Sequence, residues 1–74
     1  MNFSDILKQI MDEHGITQQQ LADKSGVHRV TISKYWNGKP ARDDAKLKIA
    51  KGLSEITGFG FGVFLAMFLS VEED

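Results

Sequence analysis

The sequence predicts an all-α fold, and three observations carry that prediction. Apolar residues recur at helical spacing, glycine and proline fall between those stripes, and residues suited to capping stand at their starts. Gly15, Gly26, Gly38, Pro40 and Gly58 are the punctuation, and none leaves room for a long loop. Ile6, Leu7, Ile10 and Met11 mark the first helix, which Ser4 can cap and Gly15 can close in the left-handed conformation. Thr17-Gln18-Gln19-Gln20 fits a capping box, so a second helix starts there and stops near Gly26, turning Leu21 and the small Ala22 inward. A third helix is expected from about His28 to Asn37. At 100° per residue it turns Thr31, Ile32, Tyr35 and Trp36 to one side and Arg29, Val30, Ser33, Lys34 and Asn37 to the other.

After Gly38-Lys39-Pro40, Asp43 and Asp44 stand where a helix start favours negative charge, and Ala45, Ile49, Ala50, Leu53 and Ile56 form the next stripe, ending by Gly58. Gly52 inside that stripe costs about 1 kcal/mol relative to alanine and marks either close packing or a weaker boundary. The segment from Phe59 to Val71 is apolar at every period. Helix from about Gly62 is preferred, exposing Val63, Phe64, Met67 and Phe68 on one side and Leu65 and Leu69 on another. A strand would align Phe61, Val63, Leu65, Met67 and Leu69 instead. Either face requires cover, by a partner subunit through Phe61, Phe64, Leu65 and Phe68 or by completion of the chain's own core.

Composition narrows the class. The chain has 74 residues, 42% of them apolar and 26% charged, which suits one small folded domain spanning residues 1–74. It has no cysteine. Neither a disulfide nor a thiolate metal site can reinforce so small a core, which favours self-association. No secretory signal pattern opens the sequence, and its apolar end is shorter than the ~20 residues a membrane span needs, so a cytoplasmic protein is expected.

The net charge of −1 hides a strong segregation. Between Lys24 and Lys51, Lys24, Arg29, Lys34, Lys39, Arg42, Lys46, Lys48 and Lys51 face only Asp43 and Asp44, a local balance of +6 against −7 elsewhere. Screening over ~8 to 10 Å makes the local field decisive, so such a window can attract phosphate; its plainer role is a solvated lysine surface.

A capped helix, a glycine turn and a second helix with a polar outer face have the layout of a helix-turn-helix reader, whose second helix enters a groove about 12 Å wide. Thr17-Gln18-Gln19-Gln20-Leu21-Ala22, Gly26-Val27, Thr31-Ile32-Ser33-Lys34, Asn37-Gly38-Lys39 and Leu47-Lys48-Ile49-Ala50-Lys51-Gly52-Leu53 together resemble the phage Cro and repressor type, without a gap. The resemblance covers about residues 6–53. It implies a compact five-helix, lambda-repressor-like fold, sequence-specific binding of double-stranded DNA, often as a homodimer, and a role in switching transcription.

Carried over by position, the resemblance gives Gln18 a phosphate contact at the start of the second helix. His28, Arg29, Val30 and Lys34, with Ser33 between them, take the groove-facing positions, and Asn37, Lys39 and Arg42 the region that grips the backbone. Arg29 can pair with guanine O6 and N7, and Val30 can pack on a thymine methyl. The family frequently joins its first and third helices by an arginine and glutamate pair; Met11 and Trp36 stand there instead, and a packed thioether and indole can replace the pair.

Several plainer readings compete. Apart from the resemblance, His28 reads as an ordinary helix-start residue. His14 beside Gly15 reads as a helix-end cation and not a metal ligand, and Tyr35 and Trp36 as packing residues. No cofactor or metal is expected. No catalytic triad or phosphate-loop spacing supports an enzyme. The competing function is a protein-binding antirepressor or antitoxin on the same scaffold, docking a protein such as a cognate repressor, and the acidic, phenylalanine-rich end favours it.

Overall fold

The computed structural model describes residues 2–71. Its first helix, α1 (Phe3–His14), starts two residues before the expected Ser4 cap would allow. Asn2 is the cap: its side chain accepts from Asp5 N at 3.0 Å, and the Asp5 carboxylate accepts from Asn2 N at 3.3 Å. This reciprocal box, available to Asn2 because Asp5 stands three residues on, outcompetes a lone Ser4. Ser4 is freed for another use. It lies buried, and its hydroxyl donates to Trp36 O at 2.7 Å, satisfying a carbonyl at the end of the third helix.

The second helix, α2 (Gln18–Ser25), carries the expected box, with Thr17 Oγ1 accepting from Gln20 N at 3.1 Å and Gln20 Oε1 from Thr17 N at 2.8 Å. The third, α3 (Arg29–Trp36), is one residue shorter at each end than expected because His28 and Asn37 are its caps. The fourth, α4 (Asp43–Thr57), has Asp43 and Asp44 in its first turn and the left-handed Gly58 at its close. Phe61–Leu69 forms α5, so the apolar end is a helix, and no strand occurs among the described residues. None of these helices is long and apolar enough to cross a membrane. Glu72, Glu73 and Asp74, the acidic part of that end, lie outside the described residues.

One core joins all five helices, with Phe3, Leu7, Leu21, Ile32, Ile49, Leu53 and Phe68 fully buried. Phe3 is its hub. The ring meets Tyr35 of α3 edge-on at 5.8 Å and Phe68 of α5 at 4.9 Å, and the Lys46 ammonium of α4 lies 5.9 Å from its centroid. Met11 is buried and Trp36 packs against the same cluster, so apolar packing occupies both positions. The Lys8 ammonium adds a cation–π contact, 5.6 Å from the Trp36 ring centroid.

The expectation that Phe64 and Phe68 face outward needs correction. Phe64 and Phe68 are 4% and 0% exposed, so they complete the chain's own core and do not face outward. Their i, i+4 spacing places both on the side of α5 that meets α1 and α4. Leu65 is partly buried against the core, whereas Phe59, Phe61, Val63, Met67 and Leu69 remain exposed.

Gly52 marks close packing. A Cβ at this position would lie 2.9 Å from both the Cβ and the backbone N of Ser25, so α2 can press its last turn onto α4 only where the side chain is absent. We expect Gly52→Ala to destabilise the protein despite the better helix propensity of alanine, because the strain of overpacking, about 1 to 3 kcal/mol, outweighs a propensity gain of about 1. A urea midpoint equal to or above that of the wild type would contradict this.

Candidate nucleic-acid interface

The interface is built from α2, the turn after it and α3. Gly26 takes φ +73°, the left-handed conformation that reverses the chain, and Ser25 Oγ accepts from Val27 N at 3.1 Å. Val27 packs against the core and anchors the turn from inside. His28 Nδ1 then accepts from Val30 N at 3.1 Å and caps α3. His28 is therefore the helix-start residue of the plainer reading, and because its cap uses Nδ1, its exposed ring can still offer Nε2 outward.

Ile32, fully buried, fixes the rotation of α3. Tyr35 and Trp36 pack against the core beside it, while Arg29, Val30 and Lys34 are exposed and Ser33 is half-buried. The expected sorting holds for Ile32, Tyr35 and Trp36 inside and for Arg29, Val30, Lys34 and Asn37 outside, whereas Thr31, expected inward, is half-buried and lines an open groove with Lys34. Gln18, Arg29, Val30 and Ser33 line one shallow depression of about 210 Å³. Val30, Ser33, Lys34, Asn37 and Lys39 line a second of about 490 Å³. Sharing Val30 and Ser33, the two make a continuous open surface along α3, to which α2 contributes Gln18.

Asn37 has a structural duty as well, since its Nδ2 donates to Ser33 O at 2.9 Å and secures the end of α3. Beyond it, Lys39 and Arg42 share a groove with Lys34, Thr31, Tyr35, Pro40, Asp44 and Ala45. Within that groove burial pushes the Tyr35 phenol above its ordinary pKa range, the Asp44 carboxylate raises it further, and the Arg42 guanidinium opposes both. Its hydroxyl stays protonated at neutral pH.

The basic window is mostly a surface feature. Lys24, Arg29, Lys34, Lys39, Arg42, Lys48 and Lys51 are exposed, but Lys46 is buried against Phe3 and is withdrawn from any phosphate-facing role. The sequence held a signal for this, because Lys46 falls three residues before Ile49 and four before Ala50 on the buried stripe of α4. Arg29, Lys34, Lys39 and Arg42 form no ion pair among the described residues, which leaves their charges available. His14 stands at the end of α1 with its ring edge-on to Phe59 at 5.7 Å.

The fold is that of a small helix-turn-helix domain. Residues 7–63 match the helix-turn-helix family, so the chain belongs to it, in its Cro/C1, lambda-repressor-like form. No curated protein and no solved structure gave a match. Membership makes this a DNA-binding domain of the transcription-regulator kind, with double-stranded DNA as the implied partner.

Proposed function

We propose that this protein is a sequence-specific transcriptional regulator of Cro or repressor type, acting as a single domain whose α3 enters the major groove. The observation that carries the reading is Val30. It is an apolar side chain left 58% exposed between Arg29 and the Ser33–Lys34 pair, where a thymine methyl would cover it. Arg29 and Lys34 read base edges beside it, Ser33 lies between them, and His28 and Gln18 flank the reading face. Asn37, Lys39 and Arg42 hold the phosphate backbone and set the register. Such a partner places the protein in the cytoplasm of a bacterial or phage-infected cell.

Selection from random duplex DNA, with molar mass measured in parallel, tests this reading. Enrichment of a defined motif supports it, and recovery of unselected sequence refutes it.

The protein acts as a homodimer in this proposal, with α5 as the interface. Phe61 and Leu65 stay on the surface we assign to the partner, joined by Val63, Met67 and Leu69, whereas Phe64 and Phe68 act from inside the protomer. Five exposed apolar side chains between Phe59 and Leu69 support the assignment. A two-fold pair on duplex implies half-sites about 10 bp apart. We expect Met67→Asp to weaken dimerisation by about tenfold or more with the melting temperature of the protomer preserved, since it would bury an unpaired charge only in the dimer. Unchanged sedimentation of this variant would remove α5 from the interface.

The second reading is a protein-docking antirepressor or antitoxin, favoured by the same exposed apolar face. The duplex selection separates the two, because a docking protein enriches no motif.

A further inference from the structure

The groove between α3 and the start of α4 holds one group that the base-reading account leaves idle. Tyr35 is anchored from behind, its ring edge-on to the fully buried Phe3 at 5.8 Å with the planes 78° apart. Its hydroxyl makes no hydrogen bond to any described residue and is not sealed from solvent. Tyr35 belongs to the wall of a groove of about 290 Å³ lined also by Lys34, Lys39 and Arg42, and two other residues of that wall, Asp44 and Arg42, act electrostatically on its hydroxyl. Among the described residues Asp44 is the only acid on the wall, so three cations against one carboxylate leave a net +2 among them. A neutral donor fixed by packing, facing a space with excess positive charge, suits a tetrahedral anion with several acceptor oxygens.

We propose that the Tyr35 hydroxyl donates to one DNA backbone phosphate seated in this groove, with Lys39 and Arg42 neutralising its charge. The inference rests on the DNA-binding reading above and adds a positioning residue to it. Flexible lysines attract phosphate without fixing where it lies, whereas an aromatic ring packed on the core holds its hydroxyl in one place. Tyr35 therefore sets the register in which Arg29 and Val30 meet the bases. Burial and Asp44 keep the phenol protonated, so the donor persists at neutral pH.

Tyr35→Phe tests this, since the ring and its contact with Phe3 are retained and only the hydroxyl is lost. Affinity is measured across a salt series on the duplex chosen by selection and on a mixed-sequence duplex, with the melting temperature alongside. The expected result is a loss of about tenfold on the selected duplex at unchanged melting temperature. The slope of log affinity against log salt stays as in the wild type, because a neutral donor releases no counterion. Lys39→Ala, by contrast, lowers that slope. Wild-type affinity in Tyr35→Phe, or a loss explained by a lowered melting temperature, overturns the phosphate contact while leaving the DNA-binding reading intact. A wild-type protein that retains neither duplex overturns both.

Discussion

Phe3→Ala should leave the protein largely unfolded near physiological temperature. Phe3 is fully buried and its ring touches Tyr35, Phe68 and the Lys46 side chain, so α1, α3, α4 and α5 are fastened through one residue. Truncating a buried phenylalanine costs about 3 to 5 kcal/mol, because the cavity closes only in part. At ~0.05 to 0.15 kcal/mol per residue, a chain of this size has a total stability of only about 4 to 11 kcal/mol. The loss is thus a large share of the whole. With about 4 to 8 °C per kcal/mol in small domains, the midpoint should fall by more than about 12 °C. Lys48→Ala, at an exposed position of α4, is the control and should melt close to the wild type. A Phe3→Ala midpoint within a few degrees of the wild type would show that α3 is held in place by something other than this hub.

Arg29→Ala should abolish discrimination at one base pair. Arg29 is exposed in the first turn of α3, shares a depression with Gln18, Val30 and Ser33, and has no ion-pair partner among the described residues. A bidentate contact to guanine is worth about 1 to 3 kcal/mol, so affinity for the selected duplex should drop about 5- to 150-fold while affinity for a duplex altered at that pair hardly changes. Lys39→Ala provides the contrast. It should weaken both duplexes alike and reduce the salt slope by about 1, the signature of a phosphate contact. Equal sequence selectivity in wild type and Arg29→Ala would deny Arg29 its role.

Local rules made much of the fold legible. The Thr17 and Gln20 box, the closing glycines at positions 15, 26 and 58, and the stripe of α4 depend on neighbours within a few residues, and all appear as expected. The start of α1 was harder because Asn2 and Ser4 are both good caps. Asp5 decides between them, and the choice draws Phe3 into the helix, four residues before Leu7, where its inward turn could have been read. Periodicity could not orient α5, since every residue from Phe61 to Leu69 is apolar or glycine. Only the packing of Phe64 and Phe68 against other helices separates its inner from its outer side.

The polar outer face of α3 was visible in the sequence because Ile32 sets its phase, and Val30 stands out on it as the one apolar side chain. The groove beyond it was not. Thr31, Tyr35, Lys39, Arg42 and Asp44 meet there only after the chain turns at Gly38 and starts α4, so no spacing along the sequence brings them together. Tyr35 in particular reads as packing alone until its place in the groove wall is seen.

In the proposed complex the outer face of α3 meets the bases of duplex DNA. Titration of isotope-labelled protein with the selected duplex, followed by NMR, tests it most directly. The largest shifts are expected at Arg29, Val30, Ser33 and Lys34, with a nuclear Overhauser contact from the Val30 methyls to a thymine methyl. Shifts confined to α1 or α5, with α3 unmoved at saturation, would contradict it.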